Sequence, residues 1–370
     1  MKVKLIGAPE VVMSNPSGVH NYFAWPTLAR TKDGRLALAA SGFRLGHVCP
    51  FGKAVLAFSD DNGKTYSAPT PIIDTCLDDR DGGLCAFGEN GLIITSFNNS
   101  VAFQREVADS INNEQNRAYR HAYLSLVDPT EEERYLGVTY RVSLDGGKTF
   151  GEIRKSPVSS PHGPIELKNG KILWVGREMH DVDPDPKDEA ISAYILDPIS
   201  GDMTFLGKIP NVVFPNGEVQ RYWEPNTYER EDGRLICHLR VPTFDEPRAH
   251  TLYQSTSDDG GKTWTTPIPL IDGGKTQGCP AHIFRHSSGA LISTYSYRKP
   301  PFGIKALIST DGGESWDGSD YRIYTNTVSA DLGYPSTVEL PDGTLLTAFY
   351  AKESEKTPCV IMQQRWALVD

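Results

Sequence analysis

The sequence predicts an all-β protein, a six-bladed β-propeller, on three observations. A glycine turn of the form Ser-x-Asp-x-Gly-x-Thr/Ser-aromatic occurs four times: SDDNGKTY from Ser59, SLDGGKTF from Ser143, SDDGGKTW from Ser257 and STDGGESW from Ser309. Six further segments each join two β-rich runs through an Asp-Gly, Asn-Gly or Ser-Gly turn, the signature of a β-hairpin. The sixth unit is one strand short, and KVKLIGAPEVVM at the start of the chain supplies a spare strand to close a ring.

Taken in order, the hairpins are WPTLARTKDGRLALAASG from Trp25, DGGLCAFGENGLIITSFN from Asp81 and PHGPIELKNGKILWVGR from Pro161. They continue with EPNTYEREDGRLICHLR from Glu224, PAHIFRHSSGALISTYSYR from Pro280 and YPSTVELPDGTLLTAFY from Tyr334. Four are followed by the Ser-x-Asp turn, with a further strand on each side of it, which makes four strands per blade. In the third unit that turn has decayed to the segment around Asp197 to Phe205. In the turn, Asp and Ser side chains can hold backbone N–H groups, glycine accepts positive φ, and the aromatic can pack between blades. The turn links third and fourth strands, so its role is architectural.

One insertion interrupts the second blade. Residues 101–137 have a polar, helix-favouring middle, and Asp128-Pro129 followed by Glu131, Glu132 and Glu133 reads as a helix start. The insertion leaves a strand that ends at the expected mouth, so it is expected to cap the active face. Contact within a homo-oligomer is the competing reading. The whole of 1–370 is expected to form one propeller domain.

Composition narrows the function. The chain has 370 residues, 39% hydrophobic, with 34 Gly, 26 Pro and a formal net charge of −10. That charge argues against nucleic acid or an anionic membrane as partner. The first residues hold too short an apolar run for an export signal, and no stretch approaches the roughly 20 apolar residues of a membrane span. Cys49, Cys76, Cys85, Cys237, Cys279 and Cys359 show no CxxC spacing. Free thiols and a cytoplasmic location are the expectation.

The start of each first strand and the end of each second strand lie at one end of a hairpin, so these positions converge on one mouth. Registering the units on Gly34, Gly91, Gly170, Gly233, Gly289 and Gly343 places Trp25, Gly82, Pro161, Glu224, Pro280 and Tyr334 at the first position. Ser41, Asn98, Arg177, Arg240, Ser296 and Tyr350 occupy the second. Arg44, His47, Asp79, Arg80, Asp81, His162, His282 and Arg298 lie close to this ring. Several arginines at one mouth of an acidic protein suggest an anionic ligand.

These repeats resemble those of the sialidase (neuraminidase) superfamily over essentially the whole chain. The resemblance implies a six-bladed propeller and a glycosidase that uses a tyrosine nucleophile assisted by a glutamate, because a carboxylate nucleophile would be repelled by a sialic acid's own carboxylate. Tyr334 and Glu224 stand where the family keeps that pair, and Arg240 and Arg298 resemble two of the three arginines that clamp the substrate carboxylate. Where the family opens its first blade with Arg-Ile-Pro, this chain has Ala24-Trp25-Pro26. The following loop, FRLGHVCPFG, carries no acid, and His47 stands in the place of the acid/base.

The expectation is therefore an exo-glycoside hydrolase releasing a terminal acidic sugar from an oligosaccharide, other than a standard N-acylneuraminate sialidase. Tyr334, Glu224 and His47 are its expected catalytic residues. Arg44, Arg80, Asp81, His162, Arg177, Arg240, His282 and Arg298 are expected to bind substrate. A uronate-directed lyase using His and Tyr, and a glycan-binding propeller without catalysis, are the competing readings. At single residues the competitors are a core tyrosine at 334, a structural Glu224–Arg240 ion pair and a solvated turn at Asp78 to Asp81. No cofactor is implied, and His47 with Cys49 makes no complete set of metal ligands.

Overall fold

The computed structural model describes residues 1–179, 190–242, 250–271, 276, 278–325 and 327–369. Six antiparallel sheets follow one another along the chain, five of four strands and the third of five, and all but the sixth are built from one continuous stretch. Blade 1 runs from Tyr22–Arg30 and Leu36–Arg44 to Lys53–Ser59 and Thr70–Ile73. Blades 2 to 5 occupy 80–156, 158–209, 223–269 and 278–324. Blade 6 holds Gly333–Glu339, Leu345–Ala351 and Val360–Val369, and its fourth strand is Lys2–Met13 from the start of the chain, paired antiparallel from Lys2 with Val369 to Met13 with Ile361. The ring closes as the missing strand predicts.

Six of the seven apolar clusters among the described residues lie one between each pair of neighbouring blades, and the seventh, Leu77, Val101 and Leu124, lies under the insertion in blade 2. Leu28, Leu38 and Val55 of blade 1 pack on Leu346 and Ile361 of blade 6, and Ala37 and Leu56 pack on Leu84 and Ile94 of blade 2. Trp174, Leu239, Leu307 and Trp366 anchor the other four between blades. The inner strands of a blade bury both faces this way, which explains runs such as LALAA that do not alternate with polar residues, whereas outer strands such as Lys2–Met13 are mostly exposed.

The four glycine turns repeat one set of bonds. In the first, Ser59 Oγ donates to Asp61 Oδ1 at 2.8 Å and accepts from the Gly63 N–H at 2.8 Å, while Asp61 accepts from Thr65 N–H and Oγ1 at 2.9 and 2.7 Å. The turns at Ser143, Ser257 and Ser309 are built alike. These bonds hold the Asp61, Asp259 and Asp311 carboxyls down at about 2. Gly63 is required: its φ is +81°, and a Cβ would meet Leu346 at 2.6 Å. The aromatic that ends each turn packs toward the preceding blade: Tyr66 on blade 6, Phe150 on blade 1, Trp264 on blade 3 and Trp316 on blade 4.

The insertion in blade 2 folds as three short helices, α1 (Val101–Asp109), α2 (Glu114–Leu124) and α3 (Pro129–Tyr135). Ser100, Asn113 and Asp128 cap them. They pack against the loop that follows the second strand of blade 1: Arg120 bonds the Val48 carbonyl, and the Tyr123 ring lies 5.0 Å from Phe51.

Candidate active site

At the mouth, the first strands of blades 1, 2, 4 and 6 open with the same distortion, and that of blade 5 has a matching ladder jump between Gly278 and Ala281. Ladder pairing jumps between Ala24 and Thr27, Arg80 and Gly83, Trp223 and Asn226, and Gly333 and Ser336. Inside those bulges sit Trp25, Asp81, Glu224 and Tyr334, with φ of 56°, 61°, 49° and 51°. The described residues contain six non-glycine residues at positive φ, so four of them occupy one repeated position. Left-handed backbone costs about 1–2 kcal/mol per residue, and its concentration at one repeated position singles out this mouth as the candidate site.

The bulges correct the glycine-based register in two blades. The residues equivalent to Tyr334 are Asp81 in blade 2, where Gly82 was expected, and Cys279 in blade 5, where Pro280 was expected. Their partners shift likewise, to Phe97 from Asn98 and to Tyr297 from Ser296. Each of these blades carries one more residue between bulge and turn glycine. Gly82 instead serves packing, since a Cβ there would strike the Ala40 backbone at 2.4 Å.

A cavity of about 390 Å³ opens between these residues. Blade 2 contributes Arg80, Asp81 and Phe97, with Asn99 just beyond; blade 3 contributes Ser159, Pro161 and Arg177, with Met179. Blade 4 adds Trp223, Glu224 and Arg240, and blade 6 adds Tyr334. No residue of 101–137 lines it, although the helices brace the neighbouring loop.

Tyr334 and Glu224 meet directly: the phenol donates to Glu224 Oε1 at 2.5 Å. Arg240 holds both oxygens of the same carboxylate, at 2.7 and 2.8 Å, and its other terminal nitrogen lies 3.1 Å from His250 Nε2. Burial would raise the Glu224 carboxyl, but the Arg240 charge and the bonds from Arg240 and Tyr334 outweigh it and hold it below the usual range. Burial, with Glu224 beside it, pushes the Tyr334 phenol well above its usual value. The pair is thus a neutral phenol bonded to a carboxylate able to receive its proton.

Asp81 behaves in the opposite way. Burial raises its carboxyl to about 7, with Arg80 opposing and Glu224 adding to the shift. Arg80 is packed between rings, its guanidinium carbon 4.9 Å from Trp25 and 5.4 Å from Phe97. Its Nε is buried with no hydrogen-bond partner, and no carboxylate among the described residues lies within ion-pair distance. Arg177 lies 5.7 Å from the Trp223 ring. Cationic groups therefore line the wall opposite Tyr334.

Five expected residues fall elsewhere. Arg44 is fully buried, paired with Asp78 at 2.5 Å and bonded to Ser41 and the His47 carbonyl, so it braces the mouth from behind and does not line the cavity. His47 lies outside the cavity lining; its ring packs 4.9 Å from Trp25, and Nδ1 lies 3.2 Å from Asp331 and 3.1 Å from the Tyr22 hydroxyl. His162 and His282 face each other at 5.1 Å inside the ring, bonded to Thr27 and to the Thr337 N–H. Burial keeps both neutral, His282 at about 4. Arg298 bonds the Leu332 carbonyl at 2.8 Å and lies 5.8 Å from the Tyr334 ring, outside the lining. Phe97, Asn99, Ser159, Met179 and Trp223 line the cavity without having been singled out. The aromatic beside each bulge was the available signal for Phe97 and Trp223.

No family model matches the chain, and no curated protein does. Solved structures match it over nearly its whole length. A protein of unknown function from Dyadobacter fermentans has a TM-score of 0.76 at 21% identity, covering 99% of both chains. The NanB sialidase from Streptococcus pneumoniae has a TM-score of 0.64 at 15% identity, over 98% of this chain and 71% of that one. An α-L-arabinanase from Penicillium chrysogenum has 0.60 at 13% identity, over 98% of each. The chain therefore shares the six-bladed propeller fold of these structures, the sialidase among them.

Proposed function

We propose that the protein is an exo-acting glycoside hydrolase that releases a terminal acidic sugar from an oligosaccharide. The observation that carries this reading is the 2.5 Å bond between Tyr334 and Glu224 beside an arginine-lined cavity. In this reading the Tyr334 oxygen attacks the anomeric carbon as its proton passes to Glu224, and a covalent glycosyl-tyrosine forms. Arg80, Arg177 and Arg240 hold the anionic group, and Asn99 and Trp223 supply a polar and an apolar contact. A cavity of about 390 Å³ suits a chain end.

The lyase reading drew on His47, His162 and Tyr334; of these only Tyr334 lines the cavity, and its bond to Glu224 suits a nucleophile. The binding reading leaves the phenol–carboxylate pair without a purpose. Product masses after incubation with sialylated, uronate-bearing and neutral oligosaccharides test all three. A released acidic monosaccharide with water added across the bond is expected. Unsaturated products would establish elimination, and a panel returned intact would leave binding as the function.

A further inference from the structure

We infer that Asp81 is the proton donor and acceptor of this reaction, the part the sequence assigns to His47. The inference rests on the hydrolase reading above, which requires a group to protonate the departing oxygen, and identifies that group from the geometry.

Three observations point to Asp81. It occupies the same bulged, positive-φ position as Tyr334 and Glu224, and all three line one cavity. Blades 6 and 2 flank blade 1, so Tyr334 and Asp81 approach the mouth from the two sides of Trp25. That places a nucleophile and an acid on different walls around a bound ring. Second, Asp81 is 7% exposed, and among the described residues no donor engages its carboxyl. The other buried aspartates near the mouth are engaged: Asp78 by Arg44 and the Cys49 N–H, Asp79 by Thr75 N–H and Oγ1. A buried carboxyl with no structural bonds, facing a cavity, is free to exchange a proton with what fills it. Third, His47 is committed to Asp331 and Tyr22 outside the lining.

The charges around Asp81 suit the role. Burial dominates, Glu224 and Asp78 further favour the neutral acid, and Arg80 and Arg44 oppose it, with the result near 7. Tyr334, which also feels Asp81, is neutral at that pH. Glu224 stays ionised through Arg240. Two carboxyl groups in one cavity are thus set apart by their surroundings, one as base and one as acid.

The steps balance. As the Tyr334 oxygen bonds to the anomeric carbon and its proton moves to Glu224, the glycosidic C–O bond breaks and the Asp81 proton goes to the leaving oxygen. Asp81, now a carboxylate, takes a proton from water as that water bonds to the anomeric carbon. The tyrosyl C–O bond breaks, and Tyr334 recovers its proton from Glu224. The net reaction adds one water across the glycosidic bond.

The test compares Asp81→Asn with the unaltered protein on methyl and 4-nitrophenyl glycosides of whichever acidic sugar the product panel identifies. A methyl aglycone needs protonation to leave, and 4-nitrophenolate does not. The expected result is a fall in kcat/KM of about 10²–10⁴ on the methyl glycoside, within about tenfold of the unaltered protein on the 4-nitrophenyl glycoside. The decline of kcat/KM above a pH of about 7 should vanish in the variant. Equal losses on both aglycones would overturn the assignment while leaving the hydrolase reading intact. No turnover by the unaltered protein on any acidic glycoside would overturn the hydrolase reading, and the assignment with it. Should Asp81→Asn fail to fold, Asp81→Gly, which accepts the same φ, allows the same comparison.

Discussion

The Tyr334 hydroxyl reaches Glu224 Oε1 at 2.5 Å although 110 positions separate the two residues. One opens blade 6 and the other opens blade 4, so only a closed ring brings them together. Replacing Tyr334 by Phe removes the nucleophile and leaves Glu224 bonded to Arg240. Turnover should fall by about 10³-fold or more, with the thermal midpoint nearly unchanged. Hydrolysis assays beside a melting curve check both halves.

Arg80 is the cavity cation held by aromatic faces rather than by a carboxylate. If it holds the substrate's anion, Arg80→Met should raise KM for an acidic glycoside by about 10–100-fold and leave a neutral analogue little affected. Arg80→Lys should recover only part of the loss, because a compact ammonium keeps the charge but not the planar stacking between Trp25 and Phe97. A variant with unchanged KM for acidic glycosides would remove Arg80 from recognition.

Arg44 and Asp78 form an ion pair with both side chains fully buried. Removing Arg44 alone strands the Asp78 charge, and Arg44→Ala should cost about 3–5 kcal/mol in chemical denaturation. The fraction that remains folded should bind substrate with an ordinary KM. A raised KM at unchanged stability would return Arg44 to the substrate.

The glycine turns act through their aromatics. Trp264 leaves the turn of blade 4, donates to the Gly261 carbonyl at 3.0 Å and packs on the apolar side chains of blade 3. Trp264→Ala should destabilise by about 3–5 kcal/mol, with kcat per folded molecule preserved. Altered kcat would show the turns to be coupled to the site.

Stability should also depend on Asp81. Its folded-state value, about 7, lies above the ordinary 3.8, so the folded protein holds this proton more tightly than the unfolded chain does. Below the ordinary value both states are protonated and nothing is lost. As pH rises from about 4 to about 7 the unfolded chain ionises first, and stability falls. Asp81→Asn removes that loss, so its thermal midpoint relative to the unaltered protein should be higher at pH 8 than at pH 4. An unchanged difference between the two pH values would mean that Asp81 is not buried as an acid.

The blade count, the closing strand and the architectural turns were legible because each is written locally, in hairpin patterns and a repeated octapeptide. The Tyr334–Glu224–Arg240 set was legible too, since blades 4 and 6 space bulge and glycine alike. Blades 2 and 5 were not, because one extra residue precedes the turn and leaves no mark in composition. Asp81 was therefore counted one place away from its true position at the mouth. The fates of Arg44 and Arg298 depend on partners that register cannot show, a buried Asp78 and the Leu332 carbonyl. His47 was assigned by its loop, and the loop turns its ring toward Asp331.

The strand Lys2–Met13 has no neighbour in the sheet other than Val360–Val369. That strand is therefore made before its partner and must wait for Val360–Val369 to be synthesised before it can pair. Burial patterns in the waiting strand, with Lys2, Lys4 and Glu10 among its mostly exposed residues, keep it charged during that interval. A protein born without that strand would present Val360–Val369 as a bare β edge, so the same segment that locks the ring also decides whether unfinished molecules associate with each other.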